Sequence, residues 1–170
     1  MESKSELKYI FANINEWLKF AEAKHGGIIV LNAAIIVGIL SSYTNIAHCL
    51  FKPVVLISMI CFGVSMFLSL LSQFPVTQNI FYNIKVINNP NLYFFGHLCH
   101  FDKDAFINHL KDADNNFAPN KLDEDLINQI LVNARITQAK FGFFKFASYL
   151  TVFGIGIIGF SSIIKVVWHF

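Results

Sequence analysis

Three long stretches without a single charged residue constrain this chain more than anything else in it. The first runs from Gly26 to about Leu40 and extends to Leu50, the second from Val54 to Phe74, and the third from Phe146 to Ile164. Each is about 19–25 residues, enough for a helix rising 1.5 Å per residue to cross a hydrocarbon core of roughly 30 Å. A buried helix of that length in a water-borne protein normally keeps one polar face, and these stretches show almost none. Composition agrees: 55% of the chain is hydrophobic against about 45–50% in ordinary globular proteins, and 14% is charged against about 25%. The expected fold is an all-α integral membrane protein in one domain of 170 residues, with an amphipathic helix over 5–25, membrane spans over 27–49, 54–74 and 144–168, and a helical segment over 75–142.

The basic residues set an orientation. The link between the first two spans carries only Lys52. The N-terminal segment has four lysines, and Lys85, Lys103, Lys111, Lys121, Arg135, Lys140 and Lys145 follow Pro75. Lysine and arginine bias flanking segments toward the cytoplasm, so the N-terminus and the long loop are expected inside, and the link Tyr43–Lys52 and the tail Lys165–Phe170 outside. Tyr43, Tyr149 and Trp168 fall near span ends, where aromatic rings favour the interface. About twenty-five charged and mixed residues precede the first span without a small-residue cleavage pattern, so that span is expected to stay as an anchor.

Ser5–Lys24 reads as a helix with Leu7, Ile10, Phe11, Ile14, Trp17, Leu18 and Ala21 along one face. Its opposite face mixes acids with lysines, which favours docking onto the long loop over lying in the bilayer interface. Gly26-Gly27 is expected to form a flexible joint before the first span. In the loop, Val76–Ile87 is a candidate continuation of the second span. Asn88-Asn89-Pro90-Asn91 reads as a turn, because Pro90 disfavours helix at the residue before it. Asp102 is placed to cap a helix Lys103–Leu110, and Asp112–Asn120 is a polar loop. A further helix, Leu122–Phe141, has acids in its first turn, bases near its end, and little to stop it running on into the third span.

Several motifs have a bland reading beside the sharp one. Gly154-Ile155-Gly156-Ile157-Ile158-Gly159 matches GxGxxG but lies in an apolar run without a preceding strand, so close helix packing through Gly156 and Gly159 is expected instead of dinucleotide binding. Gly38 and Ser42 form another small-residue pair. Asn32 in the first span, with Ser58, Ser65, Ser69 and Ser72 in the second, either bond between helices of one subunit or line a pore in an oligomer. His97, His100, Asp102 and Asp104 match no defensible zinc spacing, and no metal is expected. Cys49, Cys61 and Cys99 lack CxxC spacing and read as small apolar residues. Net charge of +2 gives no footprint for a nucleic acid polymer. Charge-free span centres argue against a proton-coupled transporter. The chain has no nucleophile elbow, HExxH or Walker loop, and no enzyme is expected.

Three stretches carry a resemblance. Asn15-Glu16-Trp17-Leu18-Lys19-Phe20-Ala21-Glu22-Ala23-Lys24-His25-Gly26 leads directly into an apolar span. Tyr93-Phe94-Phe95-Gly96-His97-Leu98 lies in the loop, and Gln129-Ile130-Leu131-Val132-Asn133-Ala134-Arg135-Ile136-Thr137-Gln138-Ala139-Lys140-Phe141 precedes the last span. Together with the order helix, two spans, loop and final span, they resemble the bacterial Pycsar effector transmembrane family, over nearly the whole chain. The resemblance implies an antiphage effector of the bacterial inner membrane. A nucleotidyl cyclase senses infection and makes cyclic UMP or cyclic CMP, and the effector answers by impairing the membrane, so that the infected cell stops before phage spreads. No cofactor is implied beyond this activating ligand, and a homo-oligomer in the lipid bilayer is expected. On that implication Arg135 and Lys140 are candidate phosphate partners, Phe95 or Tyr93 candidate stacking surfaces, and Gln129, Asn133 or His97 candidate base contacts. The alternatives are an effector gated by another nucleotide messenger or a partner protein, and a small structural membrane subunit without a ligand.

Overall fold

A computed structural model describes residues 2–42, 52–74, 84–85 and 87–168, the side chains of 2–4 and 168 excepted. Among the described residues the chain is helical and without strands, in the order α1 (Glu2–Ser41), α2 (Lys52–Gln73), α3 (Phe95–Leu98), α4 (Lys103–Ala113) and α5 (Lys121–Trp168). Three of these, α1, α2 and α5, are long and apolar enough to cross a membrane. Tyr43, Cys49, the last third of the first expected span and most of the expected extension Val76–Ile87 lie outside the described residues, as does the side chain of Trp168.

The Gly26-Gly27 joint is a correction. Helix α1 is unbroken through both glycines. Each glycine costs about 1 kcal/mol of helix propensity, but at the edge of an apolar span an unmade backbone hydrogen bond costs more, and the helix is retained.

The chain packs as two units, Met1–Glu22 with Val76–Phe141, and Ala23–Pro75 with Gly142–Phe170. The first is a small helical unit with a conventional core. Leu7, Ile10 and Ile14 of the N-terminal stripe are buried together with Phe95, Leu98, Phe101, Phe106, Ile127, Ile130 and Ala134. That stripe is therefore docked on the loop segment, as its mixed-charge outer face predicts. Polar bonds fix the same register: Asn13 Nδ2 donates to the Tyr93 carbonyl at 2.7 Å, and Asn133 Nδ2 donates to Asn15 Oδ1 at 2.8 Å. The aromatic strip continues the core, with Phe95 stacked on Phe141 at 5.1 Å and 12° and Trp17 edge-on to Phe141.

Helix starts in this unit are set by side chains. Asp102 Oδ1 accepts from the Ala105 N–H at 2.7 Å and begins α4, which runs on to Ala113. Asn120 and Asp123 form a reciprocal capping box: Asp123 N–H donates to Asn120 Oδ1 at 2.9 Å, and Asn120 N–H donates to Asp123 Oδ2 at 3.0 Å. Lys103 and Glu124 tie the two helix starts at 2.7 Å.

The second unit is built with its polarity reversed. Outward-facing positions are apolar, including Val30, Leu56, Phe67, Phe146, Val152 and Phe160, each at least 59% exposed. Many of the positions turned inward are small or polar: Asn32, Ser58, Ser65, Ser69, Thr151 and Ser161 are buried, beside an apolar cluster of Ile39, Val55 and Phe62. In water such a surface would drive aggregation; in lipid it costs nothing, and small inward residues let helices approach. A lipid bilayer is the environment this unit fits.

Candidate functional site

Among the described residues the helical unit includes two cavities whose linings differ in charge. The first, about 640 Å³, is lined by Glu6, Ile10, Pro90, Asn91, Leu92, Tyr93, Leu110, Ala113, Asp114 and Phe117. Tyr93 O–H donates to Glu6 Oε2 at 2.8 Å, and that bond, more than burial, holds the phenol above its usual pKa. Two carboxylates and no cation among the described lining residues make this cavity hostile to a phosphate.

The second cavity, about 450 Å³, is lined by Ile84, Lys85, Ile87, Asn88, Asn89, Phe101, Ala105 and His109. The Asn88-Asn89-Pro90 turn that borders it works because Asn89 takes a left-handed backbone, φ 50°, which asparagine tolerates better than most residues. Phe101 precedes the α4 cap and is nearly fully buried; the partly buried His109 ring stacks on it at 5.1 Å and 30°. Arg135 Nη2 donates to the Phe101 carbonyl at 2.7 Å and pins that backbone. Burial pushes the neighbouring Cys99 thiol above its usual pKa, opposed by the charges of Arg135 and Lys85.

The ligand candidates named from sequence all fall in the helical unit, but the structure does not gather them into one cavity. Arg135 is turned to Phe101. Lys140, buried, pairs with Glu22 at 3.2 Å. Phe95 is core, its face covered by Phe141. His97 Nδ1 accepts from the Asn91 N–H at 3.0 Å. Asn133 is bonded to Asn15, and Gln129 is exposed on α5. Of these two cavities, Tyr93 lines the acidic one, and the other candidates line neither. Sequence reading passed over Lys85, Asn88, Asn89, Phe101 and His109. The available signal was the Asn-Asn-Pro turn, which marks a surface loop where binding residues often sit.

The small and polar residues of the spans divide in the same way. Asn32, Ser65 and Thr151, one from each long helix, close a hydrogen-bonded ring: Asn32 Nδ2 donates to Ser65 Oγ at 2.9 Å, Ser65 and Thr151 hydroxyls lie 2.9 Å apart, and Thr151 Oγ1 donates to Asn32 Oδ1 at 3.1 Å. Both hydroxyls also reach the Ala147 carbonyl, at 2.8 and 3.0 Å. Ser58 and Ser69 are buried with no partner among the described residues. Gly156, Gly159 and Gly38 face open space, whereas a Cβ on Gly154 would come within 2.8 Å of the Phe62 ring. Ser42 closes the end of α1, its N–H donating to the Gly38 carbonyl at 3.2 Å.

In comparison with known families, the model for the Pycsar effector protein domain matches residues 6–167. No curated protein and no solved structure matches the chain.

Proposed function

Because the chain belongs to the Pycsar effector protein domain family, a class of antiphage defence effectors, we propose that it answers a cyclic pyrimidine mononucleotide by impairing the bacterial inner membrane. The observation that carries this reading is the extent of the family match, which takes in both units and all three apolar helices. The division of labour supports it. A unit that turns apolar side chains outward belongs in lipid, and a separately cored helical unit with cavities is available to receive a small ligand. The bias of basic residues supports a cytoplasmic helical unit, where a cyclase product accumulates, and a periplasmic C-terminus. Ligand binding favours an oligomer of the spans, and the cell stops before phage spreads.

The test uses full-length protein purified in detergent and, in parallel, reconstituted into phosphatidylethanolamine–phosphatidylglycerol vesicles loaded with a fluorescent dye. Cyclic UMP or cyclic CMP should raise the melting temperature and release dye, with cyclic AMP, cyclic GMP and cyclic dinucleotides inert. A response to a cyclic dinucleotide alone would move the chain to another messenger. No response to any of them, in both formats, would refute the ligand-gated reading.

A further inference from the structure

A cyclic mononucleotide brings one full negative charge, a flat base and a hydrogen-bonding base edge. Its site must answer each of these with a cation, a ring face and amide-like groups. The two cavities of the helical unit differ on the first requirement. The larger one presents Glu6 and Asp114 and would repel the phosphate. The smaller one presents Lys85, the stacked Phe101–His109 pair and the side-chain amides of Asn88 and Asn89, and its 450 Å³ lies within the roughly 300–1,000 Å³ of small-molecule sites.

Resting on the reading that this chain answers a cyclic pyrimidine mononucleotide, we infer that the ligand sits in the Lys85/His109 cavity. Lys85 pairs with the cyclic phosphate, the base lies on the imidazole of His109, and Asn88 and Asn89 bond its edge. Phe101 backs the imidazole, so the stacking surface is supported by a buried ring instead of swinging free. An amide can turn either its N–H₂ or its oxygen to the ligand, so the asparagines suit uracil and cytosine alike. No carboxylate is among the described residues that line this cavity, and Asp102, just before α4, accepts from the Ala105 N–H as the helix cap. Arg135 holds the site from behind by bonding the Phe101 carbonyl, which makes it a positioning residue here and not the phosphate partner.

The experiment is calorimetric titration of the full-length protein in detergent with cyclic UMP and cyclic CMP, on the parent and on Lys85→Gln, Lys85→Arg, Asn88→Ala and Asp114→Asn. Lys85→Gln should weaken the Kd of the active nucleotide about tenfold or more, the loss of one charge-assisted contact. Lys85→Arg should recover most of it, Asn88→Ala should weaken binding severalfold, and Asp114→Asn in the acidic cavity should leave it unchanged. All four should melt with the parent when no ligand is present, since these side chains lie at the surface or cavity wall. If the parent binds but Lys85→Gln and Asn88→Ala keep its Kd, this cavity is not the site and the effector reading stands. If the parent binds neither nucleotide, the cyclic-pyrimidine reading fails and the site falls with it.

Discussion

Asn32 and Ser65 meet at 2.9 Å in the middle of the apolar unit, the amide of one span donating to the hydroxyl of the next. Thr151 completes the ring from the third span, so every polar group of the asparagine has a partner inside the chain. Closed networks of this kind are sensitive to losing one member, because the others are left buried and unpaired. Ser65→Ala should therefore destabilise the protein by about 1 kcal/mol, the range measured for hydrogen bonds between membrane helices. Ser58→Ala and Ser69→Ala remove hydroxyls with no partner among the described residues and should be neutral or mildly stabilising. Unfolding in mixed micelles with rising sodium dodecyl sulfate measures all three. If Ser58→Ala proves the most damaging, that hydroxyl is bonded by something outside the described residues, and a second copy is one partner to test by cross-linking.

Gly154 makes the sharper packing prediction. A methyl there would sit 2.8 Å from Phe62 Cε1, inside any real contact, and Phe62 is fully buried. Gly154→Ala should cost about 1–3 kcal/mol by overpacking, and Phe62→Leu should restore part of it. Gly156→Ala and Gly159→Ala meet open space and should leave stability of the isolated subunit unchanged. If either one abolishes dye release while preserving the melting temperature, it packs against another subunit in the active assembly.

Charge-free length was enough to show the spans in the sequence, since a bilayer imposes both the length and the apolarity. Helix starts were partly legible: Asp102 was readable as a cap, but the Asn120–Asp123 box was not, because asparagine and aspartate replace the usual serine and glutamate. The docked N-terminal stripe followed from its mixed-charge face. Which glycine packs was not legible. Gly154, Gly156 and Gly159 lie in one motif, and only the position of the Phe62 ring on another helix separates them. The candidate ligand residues failed for the same reason. A cation and an aromatic ring in one segment look like a site until Glu22 is found beside Lys140 and Phe141 against Phe95. Lys85 and His109 are far apart in sequence and meet only across a tertiary cavity.

Cys99 reports the field around Arg135. Burial raises its pKa above 9.0, and Arg135 supplies the largest opposing effect. In a Cys49→Ala, Cys61→Ala background, which leaves Cys99 as the one thiol, maleimide labelling should be slow at neutral pH and accelerate only in alkali. Arg135→Gln should move the midpoint of that acceleration to still higher pH. Looser packing around Phe101 would raise the labelling rate at every pH without moving the midpoint, so the two effects separate in one profile.

Tyr93 gives a pH dependence with a definite sign. Its phenol is raised above 10.0 chiefly because it donates to Glu6, and a raised acid holds its proton more tightly in the folded state. The resulting stability is fully present below pH 10.0, the unfolded value, and is lost as pH climbs through the higher folded value. Tyr93→Phe should thus destabilise the protein at neutral pH, by at most about 1 kcal/mol for so exposed a bond. The gap between parent and variant should close in alkali. Glu6→Gln removes the charged acceptor and should bring the Tyr93 titration down toward its ordinary value, read as the tyrosinate absorbance lost in a Tyr93→Phe difference spectrum. An unchanged titration in Glu6→Gln would mean that burial alone raises the phenol. The Tyr93–Glu6 bond would then have no part in holding α1 against the acidic cavity.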